Sequence, residues 1–430
     1  MVRNPVAVFE KYRAQLGPTF TFHFGGVTPA VVSSDPAVVE HVLRANRGNY
    51  EKSAIQVERM VEFQGKGLVN SHGDAWLRQR RLLAQVFKPS HLAKLLPMQQ
   101  DVLQELMSGL DRDAQHGPVD VHQQMVRFTL RLVGRSLFGR SMGDADLKQI
   151  GDTISTIQAF IVRQIVQPYK IPWFRLSGLS ERHQQVRREA DTIVLRHIRA
   201  RLKQGDSDLD FLRILLETPY QDTGKPIGEP QALIECLQLM VAGNETSSNA
   251  LTWIFYLLAR HPKHILEIRD EIAAVIGDGA IDTHNLHQLE GTMRVIDEAL
   301  RIYPPFWMID RLALRDDDIG GVHIPAGAMV IPYIYGTHRN PAYWADADSF
   351  DPRRFEPDRC KGRHPFAYIP FGGGPRICIG NNMAMVQMLM IVVAFVRKYD
   401  FALTSGPVAI QPMMLLRPSG AVTMKFRSVP

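Results

Sequence analysis

Cysteine is scarce in this sequence. Three residues of 430, Cys236, Cys360 and Cys378, are too few for a disulfide framework and suit a reducing, cytoplasmic setting. Long apolar runs are missing too. The longest uninterrupted one covers residues 388–396, well short of the roughly 20 needed to cross a bilayer, so no membrane span is expected. The N-terminus, Met1-Val2-Arg3-Asn4-Pro5, opens into an amphipathic stretch with Val8, Phe9 and Tyr12 and lacks the apolar centre of a signal peptide. A natively soluble protein and one whose anchor has been removed both fit that pattern. The formal charge is 50 − 44 = +6, but no dense Lys/Arg run interleaves with aromatics, which argues against nucleic acid and leaves an acidic protein as a fitting partner. Repeats, low-complexity tracts and composition shifts are also absent. The stretches with weakest periodicity, 173–179 and 220–229, are too short to separate domains.

What is present is ordinary globular composition, 45% hydrophobic and 22% charged, on a chain long enough for a sizeable core. Helical periodicity dominates, with helices expected over 35–44, 74–87, 151–166, 181–203, 229–260, 262–276, 293–303 and 380–399. Strand-like runs are fewer, at 19–24, 29–33, 318–324, 328–334 and 420–426. The expected fold class is mainly α with a small β-rich lobe. A doubly wound nucleotide fold would alternate strands and helices throughout.

The most informative segment is Phe371-Gly372-Gly373-Gly374-Pro375-Arg376-Ile377-Cys378-Ile379-Gly380. Four glycines and a proline within ten residues specify a tight loop with exposed backbone. A cysteine placed there, before an apolar helix and beside an arginine, is biased toward thiolate. A lone cysteine near a helix cap is more often a small buried hydrophobe, but that reading accounts for the glycines only and leaves the rest of the pattern unexplained.

A second anomaly lies in the 229–260 helix, where Ala242-Gly243-Asn244-Glu245-Thr246-Ser247-Ser248-Asn249 puts poor helix formers in an apolar interior. Gly243 alone costs about 0.5–1 kcal/mol against alanine. A local rule broken inside a buried helix marks a kink or a functional site. Two further patterns are weak when taken singly: Glu298 and Arg301 at i and i+3, and Trp76 and Arg80 at i and i+4 on a basic helix.

Together, and in this order, the segments resemble the cytochrome P-450 (haem-thiolate monooxygenase) family. The loop is similar to its haem-binding signature in the arginine-bearing branch. The resemblance implies one cytochrome P-450 domain over 1–430, with a β-rich N-terminal lobe and a helical haem-binding lobe, enclosing haem b (iron protoporphyrin IX). It implies that Cys378 is the axial iron ligand and that Phe371 and Gly380 frame it. Arg376, Trp76, Arg80 and Arg311 hold the haem propionates. Glu298, Arg301 and Arg354 (or Arg353, in the alternative register) form an ion network bracing the loop. Ala242 and Gly243 leave a groove for dioxygen, Thr246 positions the hydrogen bond to the distal oxygen, and Glu245 links it to solvent protons. Pocket positions implied in the same way are residues 57–68 and 239–242, Phe306, Trp307, Met308, Ile309 and Met413; the last group is bulky and apolar, pointing to a lipophilic small-molecule substrate.

The implied reaction inserts one oxygen atom from O2 by hydroxylation or epoxidation, since thiolate donation favours O–O cleavage. The chain ends about 50 residues past Cys378, too few for a fused reductase. Electrons are therefore expected from a separate ferredoxin or flavodoxin with its NAD(P)H reductase, docking on Arg78, Arg81, Lys88, Lys361 and Arg363. The nearest alternative is a peroxygenase or isomerase of the same fold that needs no electron transfer; a non-catalytic haem protein is a further one.

Overall fold

The computed structural model describes residues 4–24, 28–204, 210–279 and 281–429. Met1, Val2 and Arg3 of the amphipathic N-terminal reading lie outside them. The described chain is rich in helix, with small β-sheets, matching the expected class. It divides into two compact units, the first built from Ala54–Gln104 and Val126–Glu245, the second from Val2–Ser53, Glu105–Met125 and Thr246–Pro430. No helix among the described residues is long and apolar enough to cross a membrane.

The first unit is helical. Its Gly73–Val86 helix follows an extended His72, and Phe160 packs edge-on against both Phe63 and Phe174, each at 5.5 Å between ring centres. The helix Ile171–Leu176 lies in a stretch whose sequence period is weak, because only Phe174 of its residues is buried and there is little stripe to read. The helix Pro89–Ala114, whose residues from Glu105 on belong to the second unit, carries Pro97 in its interior, which removes one backbone donor and hides the element from a pattern search.

The second unit holds the sheets. The largest is five-stranded, and its strands run in the spatial order Thr19–Phe24, Thr28–Ser33, Met329–Pro332, Arg311–Ala313, Tyr50–Glu51. It therefore joins segments from both ends of the sequence. Tyr50 pairs with Ala313 and Glu51 with Leu312, and the next residue, Lys52, feels the charge of Arg311. Residues 318–324, expected as one strand, form a hairpin of Asp317–Ile319 and Val322–Ile324, since Gly320 and Gly321 both take positive φ and reverse the chain. The expected 35–44 helix is Pro36–Glu40, capped by the Asp35 carboxylate, and runs on into a wide π turn at His41–Ala45. Val38, Val39, Val42 and Leu43 from this segment bury against Val31, Val330, Phe366 and Ile369. That core fixes the platform on which the cysteine loop rests.

Candidate functional site: the cysteine loop and its supports

The loop runs from Phe371 through the short 3-10 turn Gly374–Arg376 to Gly380, which caps the helix Asn381–Lys398. The Cys378 N–H donates to the Phe371 carbonyl at 2.9 Å, and the Gly372 N–H to the Ile369 carbonyl at 3.0 Å. These bonds close the loop and leave Cys378 exposed. Gly374 is obligatory on two counts. Its φ is +67°, and a Cβ there would stand 2.0 Å from the Leu43 carbonyl oxygen, inside any contact distance.

Behind the loop lies a buried ion network. Glu298 and Arg301 are both fully buried, and Arg301 forks onto the carboxylate through Nε at 2.7 Å and Nη2 at 2.8 Å. The same guanidinium donates to the His338 and Ser349 carbonyls. Arg354 Nε stands 3.3 Å from Glu298 Oε1, and the guanidinium donates to the carbonyls of Ala345 and Asp346. Arg353 is exposed and pairs with Asp351 instead, so the arginine in the network is Arg354. His338, absent from the sequence reading, ties this network to the loop. Its Nε2 accepts from the Ile369 N–H at 2.9 Å, which leaves the ring proton on Nδ1 to donate to the Arg301 carbonyl at 3.2 Å. Burial, and then the Arg301 charge, push this imidazole down to about 3, so it is neutral throughout the physiological range.

Cations gather at the sheet end of the loop. Arg311 is held down to about 10, first by burial and then by the charge of Arg376. Arg376 is itself lowered by burial, with Glu51 opposing. Lys52 is the site residue that the sequence did not flag: burial, then Arg311 and Arg376, push its amine down to about 7. Asp310 counters these charges and accepts from the Ser53 hydroxyl. Two guanidinium groups and the Lys52 amine, held near the edge of deprotonation, thus stand against Asp310 and the exposed Glu51, a positive surplus in a poorly solvated place. Such a donor set suits an anionic group, and the two propionates of a haem meet that requirement. The glycines and the exposed Cys378 meet the other requirement, a flat macrocycle with a thiolate ligand.

In the helix Glu229–Arg260 the anomalous residues sit where accessibility changes. Residues 248–258 are buried, whereas Ala242 is exposed and Gly243, Glu245, Thr246 and Ser247 are partly so. Ala242 therefore leaves the helix surface accessible at this point. Gly243 has a different reason to lack a side chain: a Cβ would come 2.8 Å from Val133 Cγ2 of the neighbouring helix Val121–Phe138. The Thr129 hydroxyl bonds both the backbone and side-chain oxygens of Asn244, the residue just before Glu245 and Thr246. One turn on from Glu245, Asn249 is fully buried with neither amide atom hydrogen-bonded among the described residues, a polar group that sequence pattern did not single out.

Trp76 and Arg80 share one face of the Gly73–Val86 helix and are both partly buried. Among the implied pocket residues, Phe306 and Met413 are 41% and 38% exposed, and Met308 and Ile309 are half-buried against the core. Trp307 departs from the pocket reading. It is a core residue, 3% exposed, with its indole N–H donated to the Met413 carbonyl at 2.9 Å and its ring against Phe9 and Tyr333. Of the cations assigned to partner docking, Arg363 lies 4.1 Å over the Trp344 ring and donates to the Arg354 carbonyl, so it serves the fold.

Known proteins resemble this chain over most of its length. A putative cytochrome P450 132 of Mycobacterium tuberculosis is 30% identical over 413 residues, covering 90% of this chain and 86% of that one. Cyclooctat-9-en-7-ol 5-monooxygenase of Streptomyces melanosporofaciens is 27% identical over 374 residues, covering 87% and 80%. Among solved structures, the retinoic acid-bound cyanobacterial CYP120A1 superposes with a TM-score of 0.88 at 24% identity, covering 99% of this chain and 95% of that one. The Cytochrome P450 family model matches residues 2–426. A match of that extent, on a chain that carries Cys378 in this loop, places the protein in the cytochrome P450 family.

Proposed function

We propose that residues 1–430 act as one haem-thiolate monooxygenase domain, which inserts one oxygen atom from O2 into a lipophilic small molecule using electrons from a separate redox protein. Family membership carries the haem and the oxidoreductase class; the substrate class, the electron donor and the residue roles are our own reading. The observation that carries it is the exposed Cys378 on a loop that the Glu298–Arg301–His338 network holds from behind. Haem bound there supplies dioxygen binding and reduction. The protein's part is to hold the Cys378 sulfur at the loop tip and to screen the propionates with Lys52, Arg311, Arg376, Trp76 and Arg80. Thr246 offers a hydroxyl one turn on from the accessible Ala242, and Glu245 a carboxylate that exchanges protons with solvent.

The apolar character of Phe306, Met308, Ile309 and Met413 supports a lipophilic substrate. So do the relative named for cyclooctat-9-en-7-ol and the neighbour with retinoic acid bound. Arg78, Arg81, Lys88 and Lys361 remain candidates for docking a ferredoxin or flavodoxin; Arg78 and Lys361 are exposed and pair with the exposed acids Asp222 and Asp358, which an acidic partner can displace.

The test is the carbon monoxide difference spectrum of the dithionite-reduced protein. A strongly red-shifted Soret band that Cys378→Ser abolishes is expected. A band at the position of histidine-ligated haem, unchanged in Cys378→Ser, would overturn the ligand assignment. The peroxygenase or isomerase alternative separates on Thr246→Ala: oxygen consumption diverted to peroxide is expected of a monooxygenase, and unchanged turnover with peroxide alone is expected of the alternative.

A further inference from the structure

The buried face of the helix Glu229–Arg260 carries a polar stripe well before the accessible Ala242. Gln231, Glu235, Gln238 and Ala242 follow at spacings of four, three and four, so they line one side. Glu235 and Gln238 are 0% and 2% exposed, and the reaction proposed above uses neither. Both bind one short segment. The Leu68 N–H donates to Glu235 Oε2 at 3.1 Å and the Val69 N–H to Gln238 Oε1 at 2.9 Å. Gln238 Nε2 donates to the Gly65 carbonyl and to Asn70 Oδ1, both at 3.2 Å. Gln231 Nε2 donates to the Lys66 carbonyl at 3.1 Å and to Glu235 Oε1 at 2.8 Å.

The segment is also knotted on itself. Asn70 bonds the Gly67 N–H and the Gly65 carbonyl, and the Ser71 hydroxyl bonds the Gly67 carbonyl. Its glycines are there for contact. A Cβ on Gly65 would meet Ile234 Cγ1 at 2.7 Å, and one on Gly67 would meet Gln238 Oε1 at 2.7 Å. Two residues beyond the knot the helix Gly73–Val86 begins, its first turn closed by the Trp76 N–H on the His72 carbonyl.

We propose that Glu235 and Gln238 are positioning residues that fasten the Gly65–Ser71 knot and thereby set where Trp76 and Arg80 stand. The inference rests on the reading that these two side chains hold haem propionates. A clamp of this kind is needed because the helix starts without a side-chain cap and its register would otherwise follow a free loop. The clamp is also sensitive to protons. Glu235 receives two neutral donors, and no cation is bonded to it among the described residues. The other titratable groups facing it are Tyr220, whose hydroxyl bonds Gln79 with Arg78 and Asp222 nearby, and the buried Cys236 thiol on its own helix. Burial pushes its carboxyl up to about 7. The fastened state therefore favours the proton, and deprotonation as pH rises through 7 loosens it by giving the buried charge a reason to meet water.

The experiment measures two quantities on the haem-loaded protein at pH 6, 7 and 8. One is hydrogen exchange over residues 65–76, corrected for intrinsic rates; the other is the rate of haem transfer to apomyoglobin. Gln238→Ala and Glu235→Ala are expected to raise both by roughly tenfold or more, as loss of buried hydrogen bonds should. In the parent protein both rise from pH 6 to pH 8. In Glu235→Gln, which keeps an acceptor for the Leu68 N–H and carries no charge, the rise disappears. If Gln238→Ala and Glu235→Gln match the parent in both quantities while Arg80→Ala speeds haem transfer, the clamp is refuted and the propionate reading stands. If Arg80→Ala and Trp76→Phe leave haem transfer unchanged, the propionate reading fails, and the positioning role fails with it even where exchange responds.

Discussion

Removing the Arg301 guanidinium tests the bracing network directly. Arg301 makes four hydrogen bonds in a site without solvent: two to Glu298, one to the His338 carbonyl and one to the Ser349 carbonyl. In Arg301→Ala the Glu298 carboxylate keeps the Asp351 N–H at 3.0 Å and Arg354 at 3.3 Å, but loses its only bidentate partner. Deleting one member of a buried pair costs about 3–5 kcal/mol, because the remaining charge stays desolvated. At about 1.4 kcal/mol per factor of ten, that lowers the population of the braced state by a factor of roughly 100 to 4,000. Arg301→Lys keeps the charge and loses the planar fork, so it should fall in between. The assay follows the red-shifted carbon monoxide band against urea, which reports the cysteine loop itself and does not require the two units to unfold together. Arg353→Ala is the control: its partner is a partly exposed carboxylate, its own side chain is 63% exposed, and the urea midpoint is expected to stay at that of the parent. Glu298→Gln combined with Arg301→Ala should cost less than the two singles added. An Arg301→Ala protein with the parent's urea midpoint and a complete red-shifted band would refute the bracing argument.

Three further outcomes follow from the same site. His338 is neutral in the fold, with its folded value near 3 below the unfolded value of about 6.5; its contribution is complete above about 6.5 and is lost as pH falls toward 3, at about 1.4 kcal/mol per pH unit. The urea midpoint of the band should therefore drop from pH 6.5 to 5, and less steeply in His338→Gln, whose amide can serve the same two partners. Lys52→Gln removes one charge-assisted donor from the propionate end and should speed haem transfer to apomyoglobin by roughly 10- to 100-fold. Haem binding by the parent should also take up a proton above pH 7, because an anion restores the charge of a lysine held near 7; calorimetry in buffers of different ionisation enthalpy detects it, and an absent proton would remove Lys52 from the site. Gly374→Ala places a methyl group against the Leu43 carbonyl at a positive φ and should abolish the red-shifted band while leaving far-ultraviolet circular dichroism near that of the parent.

Local chemistry was legible in the sequence wherever the interacting groups are near neighbours in the chain. The ten-residue loop at Cys378, the Glu298 and Arg301 pair one turn apart, and the helix Glu229–Arg260 with its broken rules at 242–249 depend on spacing, and spacing is written in the order of residues. What needed the tertiary structure are the groups brought together by chain reversal. Lys52 follows a two-residue strand and gains meaning only when the fold brings it within the field of Arg311 and Arg376. His338 lies 37 residues from the Arg301 carbonyl it bonds and 31 from the Ile369 amide, and no period connects them. The choice of Arg354 over Arg353 depends on which side of a 3-10 turn faces the core. The bulk of Trp307 fits a pocket wall and a core equally well on paper, and only its burial beside Phe9 and Tyr333 decides between them. Gly243, read as open space, is a packing contact with Val133. A sequence specifies backbone conformation and helix faces through short-range sterics and hydrogen bonds, whereas desolvation and long-range charge depend on what the folded chain places alongside each group; at this site the second set of forces decides which side chains hold the cysteine loop.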